Sequence, residues 1–324
     1  MATTDIFQIS KRERVAIAPE KTNYGEGGDF DNQGEVIGFE ADFSPSNFSQ
    51  GLQLIDNSGS GVREIHGYVE GTKDYPFNLS FTPLNLKSLI YILNVVDTGT
   101  APNFTHTFNL GNSINTFGLE ISRPTITDNV LKLKGGYVKS LSLSFEKHTG
   151  EDNGFVKINM ECNAQDHELG TDKNTNIPVL SGNPFRFRHI KFTLNNSELV
   201  EVNNGEFTIN NEIDENDFRY TNATLDRLKG KPIVKRFLVT GRINVNVKDN
   251  DFISKWQTAG IIANTKLELI KNANDNAEFV FKDFRIMEAV GGTGDGVQAV
   301  DLVFSAVGFT KIEVNDNIEH YEVQ

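Results

Sequence analysis

The order of strand-like and helix-like segments in the first half of the chain returns in the second half, which limits the fold more than any single motif does. Residues 76–82 alternate as a strand and run into a helix-like stretch over 83–96. An alternating strand over 113–122 follows, and then a hairpin with arms 129–146 and 155–163. In the second half, 242–248 runs into a helix-like stretch over 251–259, followed by a strand over 265–271 and a hairpin with arms 278–289 and 297–307. Each hairpin is broken by a loop of Gly and charged residues, 147–154 and 290–296. The order of elements matches although few residues do. This predicts a duplicated, mainly β domain with one flanking α-helix per copy, and such a chain brings two equivalent units to any ring or fibre it enters.

With 324 residues, each copy has enough chain to bury its own core. The apolar share is 38% and the mean hydropathy −0.36, which together with abundant Asn, Asp and Thr suits thin sheets with one wet face. The net charge of −13 argues against gripping nucleic acid through its phosphates, because that requires Lys and Arg to release counterions. It does not argue against a surface that DNA passes without sticking. The single cysteine, Cys162, excludes an internal disulfide and a multi-Cys zinc site. It shares the apolar side of a strand with Val156, Ile158 and Met160 and reads as a core residue. The start lacks a basic and then apolar leader, and the apolar stretch 89–96 is interrupted by Asn94, far short of the ~20 residues that span a bilayer. The expectation is a product without membrane contact, which stays in the cytoplasm of the cell that makes it unless it leaves inside a larger assembly.

Along the chain, a mixed-charge segment at 11–14 leads to a flexible turn at 24–28, a strand over 35–43 and a long polar connection over 44–61. Thr82 and Pro83 read as the cap and first residue of the first helix, Leu86, Leu89, Ile90 and Leu93 as its apolar stripe, and Gly99 as its stop. Residues 167–184, with Gly170, Pro178, Gly182 and Pro184, read as a linker between a first domain over 1–166 and a second over 185–324. In the second copy 206–210 is a strand, 211–229 a polar connection and 235–247 a long strand; Phe252, Ile253 and Trp256 form the inner face of its helix. The terminal 311–323 reads as strand, turn and strand.

The hairpins alternate most clearly. Leu141, Leu143 and Phe145 point one way, and Ser140, Ser142, Ser144 and Glu146 the other. On the partner arm Val156, Ile158 and Met160 oppose Lys157, Asn159 and Glu161. A period of two with one wet face marks a half-buried antiparallel sheet. The period does not say what the wet face touches.

Catalytic and metal motifs fail on their chemistry. Asp97-Thr98-Gly99 is the aspartic-protease triplet, but that reaction needs two carboxylates sharing a proton and the chain has one copy. The Gly-rich run 291–296 joins two strands, not the strand and helix of a phosphate cradle. The acidic runs 56–61 and 214–217 lack the downstream Glu of a calcium loop. The six histidines stand at no metal-ligand spacing, and no cofactor is implied.

The segments together resemble the long, two-domain form of the phage tail tube (major tail) protein. The resemblance lies in Tyr24-Gly-Glu-Gly, the strand 62–69, the passage from 76–81 to 89–93, His106-Thr-Phe108 and Gly136-Tyr-Val-Lys-Ser-Leu-Ser-Leu-Ser-Phe145. In the second half it lies in 239–245 and 302–306. It implies two tandem β-sandwiches whose sheets join, on oligomerisation, into an inner β-barrel. Single-domain relatives close as six-subunit rings, so a duplicated chain closes as a homotrimer with pseudo-six-fold symmetry. Its rings stack into a virion tail tube through which DNA passes unbound. Tail-tip or baseplate initiator, tape-measure and terminator proteins are the implied partners. The candidate lumen-facing residues are then Ser140, Ser142, Ser144, Glu146, Lys157, Asn159, Glu161 and Asp301, and no catalysis is expected. The alternatives are the tube of a contractile injection or gene-transfer particle and, from another class, a glycan-binding β-sandwich module.

Overall fold

The computed structural model of the chain describes residues 14–21, 23–46, 53–55, 67–69, 73–111, 113–122, 130–147, 154–170, 174–175, 177–178, 182–198, 202–214, 218–220, 227–247, 260–291 and 298–321. The first half holds β1 (Arg14–Pro19), β2 (Glu35–Val36), β3 (Phe39–Pro45), β4 (Gln53–Ile55), β5 (Gly67–Val69) and β6 (Tyr75–Thr82). It continues with β7 (Asn94–Thr100), β8 (Asn103–Asn109), β9 (Phe117–Ser122), β10 (Val130–Glu146), β11 (Lys157–Ala164) and β12 (Asp166–Gly170). The second half holds β13 (Ile190–Leu194), β14 (Ser197–Glu198), β15 (Val202–Asp214), β16 (Phe218–Tyr220), β17 (Arg227–Lys229) and β18 (Ile233–Val247). After it come β19 (Lys266–Asn272), β20 (Asp275–Lys282), β21 (Arg285–Gly291), β22 (Gln298–Ala306) and β23 (Gly308–Asp316). All the pairings among them are antiparallel.

The pairings of the first half repeat in the second. An inner ribbon runs β3-β6-β11-β10 and continues without a break as β15-β18-β22-β21. The first and second groups of four correspond in chain order: β3 and β15 each carry a small hairpin insert (β4–β5, β16–β17) before β6 and β18. Outside the ribbon lie the layers β2-β1-β9-β10-β12 and β14-β13-β19-β20-β23, again matched strand for strand. Among the described residues the second outer layer alone is extended, by β8 and then β7 from the first half. Within one chain the ribbon is open, with β3 and β21 at its edges among the described residues.

Alternation explains the layering. Phe77, Leu79, Leu141, Leu143, Ile158, Met160, Phe207, Ile209, Val239, Ile243, Leu302 and Phe304 turn their side chains to one face of the ribbon and are buried. Leu119, Ile121, Leu267, Leu269, Phe279 and Ile312 meet them from the outer layers, and one hydrophobic cluster runs through both halves. Cys162 is fully buried within it. The 17-residue β10 belongs to both layers: its first part pairs with β9 and β12, its second with β11 and β15. The chain turns this corner at Gly135, whose φ of +63° lies in the left-handed region, and the packing of Tyr24 and Gln165 leaves no room for a Cβ there. In the second half the same corner falls between β20 and β21, where Asp283 takes a φ of 51°.

Several expectations change. The stretch 83–96 is not an α-helix. Residues Lys87–Tyr91 make a 3-10 turn with no side-chain cap, and Val95, Val96, Thr98 and Thr100 extend as β7 against β8. The apolar stripe is real, since Leu86, Leu89, Ile90 and Leu93 are all buried, but Tyr91 and Ile92 are buried too. A segment covered on every side does not need helical periodicity, and the β-branched run that follows favours a strand. Gly99 sits inside β7 with a φ of +107° and stops no helix. The second expected helix, 251–259, lies outside the described residues, as do all of the run 56–61 and most of the Gly-rich run 291–296. Residues 167–170, read as linker, belong to β12, and the strand expected from 113 begins at Phe117. Beyond β23, residues 317–321 form no strand.

Candidate functional site

All eight residues singled out as polar candidates lie on one face of one sheet. Cross-strand partners carry a continuous row, Asp42–Ser80–Asn159–Ser142–Thr208–Thr240–Ser305–Arg285, from one edge of the ribbon to the other. A second row runs Ser44–Asn78–Glu161–Ser140–Asn210, and a third Lys157–Ser144–Glu206–Arg242–Val303–Glu288. Glu146, Asn204, Asn244, Asp301 and Val290 make a fourth. The period of two puts every one of these opposite the buried set, because a strand alternates its side chains. The face is therefore short, polar and wet, built mainly of Ser, Thr and Asn.

Its charges are paired where they are closest. Arg242 donates to Asp301, which also accepts from Asn244 Nδ2 at 2.7 Å. These two bonds hold the Asp301 carboxyl below its ordinary range, and Asp301 in turn raises Arg242. Ser140 Oγ lies 3.4 Å from Glu161 Oε2, and Asn203 Nδ2 donates to Asn244 and Asn246 at 2.8 and 2.7 Å. Carboxylates (Asp42, Glu146, Glu161, Glu206, Glu288, Asp301) outnumber cations (Lys157, Arg242, Arg285) on these rows. No cluster of cations is present to hold a phosphate backbone among them.

A buried polar knot, not foreseen from the sequence, ties the two halves together. His106 on β8 is fully buried, with Nδ1 2.7 Å from Asp97 Oδ1 on β7 and Nε2 3.1 Å from Asp316 Oδ1 on β23. The Tyr321 ring stacks on the imidazole at 3.7 Å, and its hydroxyl donates to Asp316 Oδ2 at 2.5 Å. The Tyr321 amide donates to Asp97 Oδ2 at 2.7 Å. Burial alone would lower the His106 pKa, but the bonds and charges of Asp316 and Asp97 outweigh it and leave it raised above 6.5. A carboxylate–imidazole pair is a catalytic element elsewhere, yet here both ring nitrogens are engaged and neither reaches solvent. The Asp97-Thr98-Gly99 triplet thus serves packing. Reading 94–100 as a strand would have placed Asp97 opposite His106, which is the signal the helix assignment concealed.

A second buried carboxylate fixes the turn at 24–28. Glu20 accepts from the amides of Gly25, Gly27 and Gly135 at 2.9, 3.3 and 2.8 Å, and from Thr116 Oγ1 at 2.7 Å. It joins the Gly-rich turn to the corner of β10, where a misplaced Gly135 would disturb both layers. Glu35 is also buried, and desolvation, opposed by Lys87, pushes its pKa up to about 7. Among the described residues no group of His, Cys, Asp and Glu could hold a metal ion, and no helix is long and apolar enough to cross a membrane.

Among the described residues this is a mainly β protein whose ribbon has one face covered, the other wet and open edges at β3 and β21. The model of the phage tail tube protein family matches residues 10–306. The chain belongs to that family, a family of structural proteins that assemble into the tube of a phage tail. No curated protein matches it.

Proposed function

We propose that the chain is the subunit of a tail tube in which three copies close each ring and DNA passes through the centre. The observation that carries this is the β10–β15 pairing, seven residue pairs long, between the end of the first four-strand group and the start of the second. Because β21 corresponds to β10 and β3 to β15, the same contact made between chains joins β21 of one copy to β3 of the next. Six four-strand groups, two per chain, then complete the pseudo-six-fold barrel that the family resemblance implies, and closing it removes both open edges. Units near 1–166 and 185–324 are the two sectors.

The outer layers cover the apolar face of the ribbon, so the face of Ser140, Ser142, Ser144, Glu146, Lys157, Asn159, Glu161 and Asp301 is the one left to line the channel. Short hydroxyl and amide side chains hold water, and the slight excess of carboxylates repels phosphates, which keeps the passage from binding its cargo. The pairing of Asp301 with Arg242 makes this wall less acidic than the overall charge suggests. Electron microscopy of assembled protein, with chain counting by native mass spectrometry, tests the reading. Three chains per ring with a polar lumen supports it, and six chains per ring or a basic lumen sinks it.

A further inference from the structure

The two copies can be laid over each other residue by residue through their pairings. In the first copy one cross-strand row runs Pro45–Phe77–Cys162–Val138, and in the second Phe207–Gly241–Phe304–Ile286. Each row ends on the residue just before a register shift, at Val138/Ser140 in β10 and at Ile286/Glu288 in β21. The rows are therefore equivalent, and Pro45 stands in β3 where Phe207 stands in β15. Both strands also carry an irregularity a few residues earlier, at Phe39/Asp42 and Val202/Asn204. Phe207 pairs with Leu143 across the seam between the two halves, so its position is one that meets a neighbouring strand. The direction of the backbone at Pro45 follows from the next residue. The Ser46 amide donates to the Pro76 carbonyl at 2.9 Å, in register with the pair Pro45–Phe77. Backbone groups alternate along an antiparallel strand, so Pro45 turns its own away from β6 and toward the open edge. Proline has no amide to give there.

We infer that Pro45 guards β3 as the docking edge for β21 of a second copy: it withholds from the seam between chains one bond that the Phe207 amide is placed to supply within a chain. A strand edge fully able to bond invites pairing with any strand that passes, and prolines and bulges are the means by which such edges are restrained. β3 carries both, Pro45 and an irregularity in which Glu40 takes a φ of 51°. β21 has no proline, and Met287 and Val290 are exposed on it. A seam takes one edge of each kind, so weakening β3 alone restrains every seam. The internal seam needs no guard, because the chain itself keeps its two sides at high effective concentration. This rests on the ring reading above and adds that the subunit holds back its own ring closure until a high concentration or an existing ring favours it.

The test compares the full-length chain with Pro45→Val and Pro45→Ala, both of which restore the amide, by sedimentation velocity and native mass spectrometry over a concentration series. Both variants should keep the circular dichroism of the parent and form three-chain rings at a several-fold lower concentration. One restored ladder bond is worth about a factor of five in the association constant of each seam. Three-chain rings from parent and variants at the same concentration overturn the inference and leave the ring reading standing. A lower threshold for Pro45→Val alone also overturns it, because the effect then belongs to the side chain and not to the amide. If neither the parent nor the variants form three-chain rings, or if they close with another number of chains, both readings fall.

Discussion

In the first half the chain leaves the ribbon at Thr82, turns through Lys87–Tyr91 and makes the β7–β8 hairpin before entering its outer layer at Phe117; in the second it leaves the ribbon at Val247 and enters the outer layer in β19 at Lys266. The strands on either side of these detours, β6 and β9 in the first half and β18 and β19 in the second, match one for one. A strand inside the ribbon is bound on both edges and one face, so a slip of one residue would turn its apolar set to water. A connection outside the ribbon has fewer partners and is free to differ. What the first half gained by its longer detour is a strap: β8 lies on β23, and the His106 knot fastens it. In the first half's outer layer, among the described residues, no strand follows β12.

The sharpest way to break this comparison is to ask whether β21 acts between chains as β10 does within one. Val290→Pro removes an amide from an edge strand, where proline is tolerated in the monomer but cannot complete a ladder. The expected result is a soluble subunit with native circular dichroism that forms no tubes by electron microscopy. Ser142→Pro, at the corresponding internal seam, should instead unfold the subunit itself, since β10 is bonded on both sides.

Next in size is the strap. His106→Phe leaves Asp97 and Asp316 buried without the imidazole between them, and losing one partner of a buried ionic group costs about 3–5 kcal/mol. Denaturant melts should show the loss, together with earlier proteolysis near the C-terminus, where Tyr321 stacks on the ring. Because the folded pKa of His106 is raised above 6.5, its contribution is complete below that pH and fades as pH rises through the raised value. A parent protein whose strap is unaffected by alkaline pH contradicts the charged-imidazole picture.

Glu35 gives a smaller effect of the same sign. With a folded pKa of about 7 against an ordinary 4.5, its contribution is full below pH 4.5 and lost as pH climbs through 7. A shift of this size corresponds to a swing on the order of 3 kcal/mol. Glu35→Gln should flatten the fall in melting temperature across that window while leaving the His106-dependent part.

The smallest effects on stability belong to the wet face. Replacing Glu161 and Glu206 by Lys should leave melting and assembly near the parent values, yet slow genome release, because each new cation adds a phosphate contact. Release kinetics identical to the parent would remove electrostatics from the account of the channel.

The strand pattern was legible wherever one face is dry and the other wet. Ser140, Ser142, Ser144 and their partners Lys157, Asn159 and Glu161 alternate so regularly that their shared face followed from the sequence, and of the expected hairpin with arms 129–146 and 155–163 the pairing of 137–144 with 157–163 followed with it, while 130–134 pair with β9 and β12 instead. The segment 83–100 was misread because burial on all sides erases periodicity: Leu86, Leu89, Ile90, Tyr91 and Ile92 are all covered, and the i, i+3, i+4 spacing among them is incidental. The His106 knot was illegible because its members stand at 97, 106, 316 and 321, and only the long-range pairing of β8 with β23 brings them together. The seam between β10 and β15 was likewise hidden, since nothing local to either strand names its partner.

The passage of β10 from one layer to the other has a mechanical consequence. When a tube flexes, its inner wall and outer coat are driven to slide past each other, and the sliding is resisted by whatever crosses the gap. In the first half that crossing is one uninterrupted strand turning at Gly135. In the second it is divided at Asp283 and Phe284 between two strands. A ring of three such chains would alternate stiffer and softer sectors around its circumference, so the tube would have preferred directions of bending set by three-fold, not six-fold, symmetry.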